Sequence, residues 1–252
     1  MNYNQHEFDV KCEWGIRGIE ELSPVSDVIV IVDILSFSTC VDIATNNGAI
    51  IYPYRWKDES AKDYAKSLNA SLADFKRKYT NGYSLSPTSM VNIKSKTRLV
   101  LPSPNGSALT LATKTTPTLC GCLRNAKAVA EFAEKLGRRV SVIPAGEQWT
   151  NDTLRPAFED LLGAGAIISY LTGNLSPESK AALSVYDNLK TTILDEIKKC
   201  SSGKELIKRG FEKDVYLACD FNASDNVPLL IKGAYVGQQS TAFNIILPQV
   251  EA

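Results

Sequence analysis

The sequence predicts an α/β fold, layered α/β/α around a largely buried sheet that is mainly parallel or mixed. Three observations predict it. Strand-like and helix-like segments alternate along the chain with no block of strands alone, the pattern that builds βαβ units. The run Asp27–Val32 (DVIVIV) is apolar and β-branched throughout, as expected of a strand covered on both faces. No Gly/Ser-rich linker and no fixed-period repeat divides the 252 residues. The expectation is one unit over 1–252, with the helix-rich segment 157–218 either an insertion or a subdomain of it.

The elements follow in order. His6–Cys12 reads as a strand and Gly15–Leu22 as a short helical turn. After the Asp27–Val32 strand, Ser36–Asn47 reads as a helix stopped by Asn46-Asn47-Gly48. Ala49–Tyr54 is the next strand and Asp58–Leu68 a polar, exposed helix. Lys76–Lys96 is irregular, with turn signals at Asn81-Gly82 and Ser86-Pro87, and long irregular stretches often carry function. Arg98–Leu101 is a strand, Asn105–Thr113 and Arg124–Leu136 are helices, and Arg138–Ile143 is a strand. Pro156–Leu171 and Pro177–Cys200 read as long helices, Gly203–Arg209 as a short one, and Pro228–Val236 as a final strand.

Composition narrows the function classes. Hydrophobic residues are 44% and charged residues 22%, a globular balance in a chain long enough to bury a core without staples. Lys+Arg and Asp+Glu are both 28, and no basic stripe is present, which argues against a nucleic-acid partner. The longest apolar run, Val28–Val32, is far short of the roughly 20 residues that span a bilayer. Met1–Val10 is polar and lacks the apolar core of a signal peptide. The expectation is a cytoplasmic protein with no membrane partner. Its six cysteines are then expected as reduced thiols. Cys120-Gly121-Cys122 is too close and too isolated for a zinc site, and reads as small buried side chains at a strand end.

The single histidine, His6, excludes Ser-His-Asp and Cys-His nucleophile systems and His-rich metal centres. Carboxylates, hydroxyls, amides or a metal must carry any chemistry. Four blocks offer them. Asp33 follows a buried strand, at the sheet edge where open α/β folds bind ligands. Its position allows two roles, ligand to a hard cation such as Mg²⁺ or cap of the following helix. Ser36, Ser38 and Thr39 add hydroxyls at that helix start, where free N–H groups hold anions. Asn105-Gly106-Ser107, after the next strand, is either an anion cradle or an ordinary Asn-Gly turn with a serine cap. Gly146-Glu147 follows a third strand. Glu159-Asp160 opens a helix that also holds Gly163 and Gly165, costly in a helix interior and suited to close approach of another backbone. The acidic pair is either a buried metal site or a solvated first turn. Several phosphate chemistries are absent. Position 35 is Leu where a dehalogenase-type phosphatase needs Asp. No Walker A loop occurs. Neither Cys40 nor Cys219 has an Arg six residues on.

Taken in order, these blocks resemble the 2-phosphosulfolactate phosphatase family over nearly the whole chain. Asp33-Ile-Leu-Ser-Phe-Ser-Thr-Cys40 is similar to the family's Asp-Val-Leu-Arg-Ala-Thr-Ser-Thr. Pro104-Asn105-Gly106-Ser107-Ala108-Leu109-Thr110 is similar to Thr-Asn-Gly-Thr-Arg-Ala-Leu, and Pro144-Ala-Gly146 to Cys-Ala-Gly. Glu159-Asp160-Leu-Leu-Gly-Ala-Gly-Ala166 follows Glu-Asp-x-x-x-Ala-Gly-Ala. Trp14-Gly15, Ala126-x-Ala128-Val129 and Asp214-Val215…Asp225-x-Val227-Pro228 add to the set.

The resemblance implies a Mg²⁺-dependent hydrolase of the phosphate ester of a small sulfonated acid, of the kind found in coenzyme M synthesis. It implies Asp33, Glu159 and Asp160 as catalytic and metal-holding carboxylates. Ser36, Ser38, Asn105, Gly106, Ser107 and Arg124 are then the substrate-binding residues. It leaves the oligomeric state open, a homodimer included. The chain departs from the pattern where Ser36 and Ala108 replace arginines, where no Gly-Glu-Arg-Gly-Gly-like loop lies between Tyr54 and Tyr83, and where Ser84-Leu85-Ser86-Pro87 stands for Gly-Asn-Ser-Pro. Guanidinium groups suit a phosphate dianion, so the metal half of the site is expected to be better kept than the anion half. Arg124 and Arg155 are the expected substitutes, and the alternative function is a weak or inactive enzyme that binds a ligand on the same fold.

Overall fold

The computed structural model describes residues 3, 5–78 and 81–239. The chain begins with Val10–Cys12 (β1) and Gly15–Leu22 (α1), followed by Val28–Val32 (β2), Phe37–Asn46 (α2), Ile50–Tyr54 (β3), Ser60–Ser67 (α3) and Ser71–Leu72 (β4). Pro87–Met90 (α4), Arg98–Pro102 (β5), Gly106–Ala112 (α5), Thr118–Gly121 (β6), Ala126–Leu136 (α6) and Val140–Pro144 (β7) come next. A small hairpin, Glu147–Gln148 (β8) and Leu154–Arg155 (β9), precedes five helices: Phe158–Ile168 (α7), Pro177–Leu189 (α8), Ile193–Lys199 (α9), Ser201–Lys208 (α10) and Glu212–Ala218 (α11). Asn226–Ile231 (β10) and Ala234–Gln239 (β11) complete it.

The α/β expectation holds, with a mixed sheet of nine strands in the order β1-β7-β2-β6-β10-β11-β3-β5-β4. β1, β7, β2 and β6 are parallel, as are β3, β5 and β4. The β10–β11 hairpin joins the two groups by antiparallel pairing on both sides. All five β2 side chains are fully buried because both faces are covered. Val28, Val30 and Val32 pack in a cluster with Val129 of α6 and Leu162 and Ile167 of α7, while Ile29 and Ile31 pack with Ile19 and Leu22 of α1 and Leu109 of α5. Each such burial is worth roughly 1.5–3 kcal/mol. Residues of α7, α8, α9, α10 and α11 share the first of these clusters with the sheet.

The hairpin reverses strand direction between the two groups, yet the carboxyl ends of β2 and β5 meet. The Asp33 carboxylate, just after β2, accepts the Gly106 N–H, just after β5, at 2.9 Å.

Several expected boundaries change. The final strand expected at Pro228–Val236 is a hairpin. It turns at Lys232-Gly233, whose φ angles of 48° and 82° are those of a two-residue loop matched to strand twist. The helix expected over Pro177–Cys200 is two helices, because Thr192 turns back and donates its N–H to the Leu189 carbonyl at 2.8 Å. The strand expected at His6–Cys12 is confined to Val10–Cys12. The α11 helix and the β8–β9 hairpin add to the expected elements. Among its described residues the irregular stretch over Lys76–Lys96 contains only α4; its Tyr79 and Thr80 lie outside the described residues, as do Met1, Asn2 and Asn4 of the polar N-terminus. Among the described residues no helix is long and apolar enough to cross a membrane.

Candidate active site

Asp33 sits one residue beyond β2, where α2 and α5 both begin. Its Oδ1 accepts the Phe37 N–H at 3.2 Å and its Oδ2 accepts the Gly106 N–H at 2.9 Å. It therefore braces the starts of both helices and still lines a cavity, so the two roles left open by sequence coexist. A side chain at Gly106 would strike the Phe37 ring, the nearest carbon lying 2.2 Å from an added Cβ; only glycine lets the α5 start come this close. Burial, and then the nearby Glu147 carboxylate, push the Asp33 carboxyl up to about 7.

The cavity, of about 190 Å³, lies beyond the carboxyl ends of β2, β3, β5 and β7 and is bordered along the length of α10 by Ser202, Glu205, Leu206 and Arg209. One side carries Asp33 and Glu147, with Asn105 between them, its Nδ2 donating to Glu147 Oε2 at 3.0 Å. Burial also raises the Glu147 carboxyl. The remainder of the lining includes Ser36, Lys57, Arg77 and Arg209. Arg77 donates from Nη2 to Ser36 Oγ at 3.0 Å and from Nη1 to Asp214 Oδ2 at 2.7 Å. Lys57 and Arg209 stand exposed at the rim.

The other expected residues separate into those brought to the cavity and those spent elsewhere. Ser36, Asn105 and Asp33 line it. Gly106 reaches it through its N–H on Asp33. Ser38 lies beneath, its Oγ accepting the Asp33 N–H at 2.8 Å. Ser107 is buried with its hydroxyl donated to the Leu101 carbonyl, neither capping α5 nor facing the cavity. Arg124 does not line the cavity. It is held by Asp42 and Asp220, each at 3.1 Å, which consume the strand-to-helix arginine that sequence position favoured. Arg155 lines adjoining depressions with Glu159 and with Glu147.

The Glu159-Asp160 pair is buried, not a solvated turn. Asp160 Oδ1 accepts the Ile34 N–H at 2.7 Å and Oδ2 the Gly146 N–H at 2.9 Å. This carboxylate ties the ends of β2 and β7 to α7, and burial followed by the neighbouring Asp33 holds it well above the usual carboxylate range. Glu159 opens on a separate depression beside Lys199 and Cys200, and its Oε2 is buried without a hydrogen-bond partner. Among the described residues no three His, Cys, Asp or Glu side chains gather closely enough to hold one ion. The trio Asp33, Glu159 and Asp160 is thus not assembled: Asp33 lines the cavity, whereas Glu159 opens on a different depression. The carboxylates that share the cavity with Asp33 are Glu147 and, on α10, Glu205, which is paired with Arg209 at 2.8 Å.

A family model described as 2-phosphosulpholactate phosphatase matches residues 18–233. The chain belongs to that family. Among its relatives, the 2-phosphosulfolactate phosphatase of Methanothermobacter thermautotrophicus is 30% identical over 210 residues, 82% of this chain and 88% of the relative. A probable 2-phosphosulfolactate phosphatase of Carboxydothermus hydrogenoformans is 32% identical over 218 residues, 83% and 89% of the two chains. The 2-phosphosulfolactate phosphatase of Methanocaldococcus jannaschii is 28% identical over 210 residues, 80% and 84% of the two chains. The family match covers every segment that lines the cavity. Arg77, Lys57, Arg209, Glu147 and Glu205 are the charged lining residues missing from the sequence-derived site. Of these only Glu147 had a local signal, its place just after a strand.

Proposed function

We propose that this protein is a phosphoric monoester hydrolase acting on a small phosphorylated acid, 2-phosphosulfolactate or a close analogue, and that Mg²⁺ serves it. The observation that carries the reading is the make-up of one cavity: Asp33 and Glu147 stand on one side, and Lys57, Arg77 and Arg209 supply cationic groups to the same space. Its volume of about 190 Å³ lies below the roughly 300–1,000 Å³ of drug-sized pockets, which suits a ligand of few atoms and high charge. Family membership supplies the reaction class.

The residues present fit a magnesium ion. Mg²⁺ is typically held by one or two carboxylates with waters and substrate phosphate oxygens completing its shell. Asp33 and Glu147 are two such carboxylates, and both are raised by burial, the condition a hard cation relieves. When bound, Mg²⁺ supplies Lewis-acid polarisation of the phosphoryl oxygens. The chain's own residues do the rest. Arg77 presents a planar fork of N–H donors suited to phosphate oxygens. Lys57 offsets a further negative group at the rim, where Arg209 is paired with Glu205 at 2.8 Å. The two N–H bonds to Asp33 keep its carboxylate fixed, so no reorganisation is needed during reaction.

The absence of arginine at 36 and 108 does not leave the cavity without cations, which favours turnover over simple ligand retention. Phosphate release is to be measured on 2-phosphosulfolactate and on a panel of phosphorylated 2-hydroxy acids, with Mg²⁺ and with EDTA. Release that requires Mg²⁺ and prefers the sulfonated acid is expected. Tight binding without release across the panel would favour the ligand-binding alternative, and neither binding nor release would sink the reading.

A further inference from the structure

Asp214 lies on α11, outside the cavity, and is completely buried. Its Oδ1 accepts from Ser86 Oγ at 2.7 Å, Thr88 N at 3.0 Å and Thr88 Oγ1 at 2.7 Å. Its Oδ2 accepts from Arg77 Nη1 at 2.7 Å. Arg77 comes from the irregular stretch after β4, 137 residues away in sequence, with nothing regular around it to fix its side chain. Two contacts besides Asp214 complete its setting. Nη2 donates to Ser36 Oγ at 3.0 Å, and the guanidinium lies over the Phe211 ring at 5.6 Å from the centroid.

We propose that Asp214 is a positioning residue: it holds one edge of the Arg77 guanidinium so that the remaining N–H donors stand ready in the cavity for the phosphoryl group. The inference rests on the phosphatase reading and names a residue that works through another. A guanidinium has five N–H donors. Asp214 and Ser36 take one each, which leaves three for a ligand. A long side chain ordered in advance does not lose its rotamer freedom when the ligand arrives. The carboxylate can do this because its three other donors come from the 86–88 segment, so the arginine and the segment that follows it are tied to one buried charge. The small hydroxyl of Ser36 fits the same arrangement. The guanidinium arrives from the loop after β4 and rests on that hydroxyl.

The test compares wild type, Arg77→Ala, Asp214→Asn and the double variant in the full chain with Mg²⁺. It reads the inhibition constant of inorganic phosphate together with kcat and KM for the preferred phosphate ester, after circular dichroism has shown equal folding. Each single variant should raise the inhibition constant and KM about tenfold, the scale of one lost charge-assisted contact. The double variant should be no worse than Arg77→Ala, because residues that act as one unit are non-additive. Additive losses, or an unchanged inhibition constant in Asp214→Asn, would overturn the proposal. If Asp214→Asn does not fold, Ser86→Ala and Thr88→Val carry the comparison. They remove neutral donors from the same carboxylate and keep the ion pair, so the inhibition constant should stay within about twofold of wild type while Arg77→Ala shifts it about tenfold. An equal rise in all three would assign the effect to loop anchoring and overturn the proposal. A wild-type protein that does not bind phosphate removes the phosphatase reading and this inference together. Phosphate binding that ignores Asp214 removes only the inference.

Discussion

An amide cannot do what the Asp33 carboxylate does. Two backbone N–H groups, from Phe37 and Gly106, each point at one of its oxygens, and Asn would turn its NH₂ toward one of them. Asp33→Asn should therefore cost roughly 1–3 kcal/mol of stability through one unsatisfied buried donor. It should also lower Mg²⁺ affinity at least about tenfold by removing a charged ligand. Urea unfolding and calorimetric titration read the two effects separately, and equal Mg²⁺ affinity in both proteins would remove Asp33 from the ion's surroundings. Asp33, Asn105 and Gly106 could be read from sequence because a carboxylate after an apolar strand and an Asn-Gly before a helix are local patterns. Arg77 could not. Its place is set by Asp214 and Ser36, far along the chain, and the loop around it has no period. Arg124 shows the opposite failure, since a good local position was claimed by Asp42 and Asp220.

Helices and strands in this fold are tuned at their closest approaches. A Cβ at Gly165 of α7 would lie 2.2 Å from the Ala182 carbonyl oxygen of α8, a backbone atom, whereas one at Gly163 would meet the end of the Ile34 side chain at 2.5 Å. Alanine adds about 1 kcal/mol of helix propensity at either place, but overpacking against backbone costs roughly 1–3 kcal/mol. Gly165→Ala should lower stability and Gly163→Ala should be tolerated better; denaturant midpoints that rank them the other way would contradict this packing. At the entry to β2, Asp27 accepts the Arg139 N–H at 2.8 Å and its guanidinium at 2.6 Å. Hydrogen bonding to the Arg139 side chain, foremost, holds the Asp27 carboxyl below its ordinary range. A depressed carboxyl stabilises the fold above its unfolded value and loses that contribution as pH falls through the folded one. The stability gap between wild type and Asp27→Asn should be full near pH 7 and narrow progressively as pH falls below about 4; a gap that stays unchanged down to about pH 2 would refute it. Strong apolar periods made β2, α2, α5 and α6 legible beforehand. The interruption at 190–192 and the Lys232-Gly233 turn were not, because each is an event of two or three residues inside an otherwise continuous pattern.

Across the whole molecule, the β10–β11 hairpin lies between β6 and β3 at the centre of the sheet, although it is built from residues 226–239. Cutting the chain before Asn226 would leave β6 and β3 each with an open edge, and unpaired edges promote association. Such a truncated chain should be recovered as aggregate or as a species lacking cooperative unfolding, and a soluble monomer with a sharp thermal transition would contradict the topology. The same arrangement gives synthesis on the ribosome a particular order. The two parallel groups are complete in sequence well before the segment that joins them exists, so a nascent chain carries two half-sheets awaiting a central seam. Late pairing of distant strands is slow and leaves apolar edges exposed meanwhile. The dependence of this chain on chaperones during synthesis should therefore be concentrated in the interval before its last two described strands emerge.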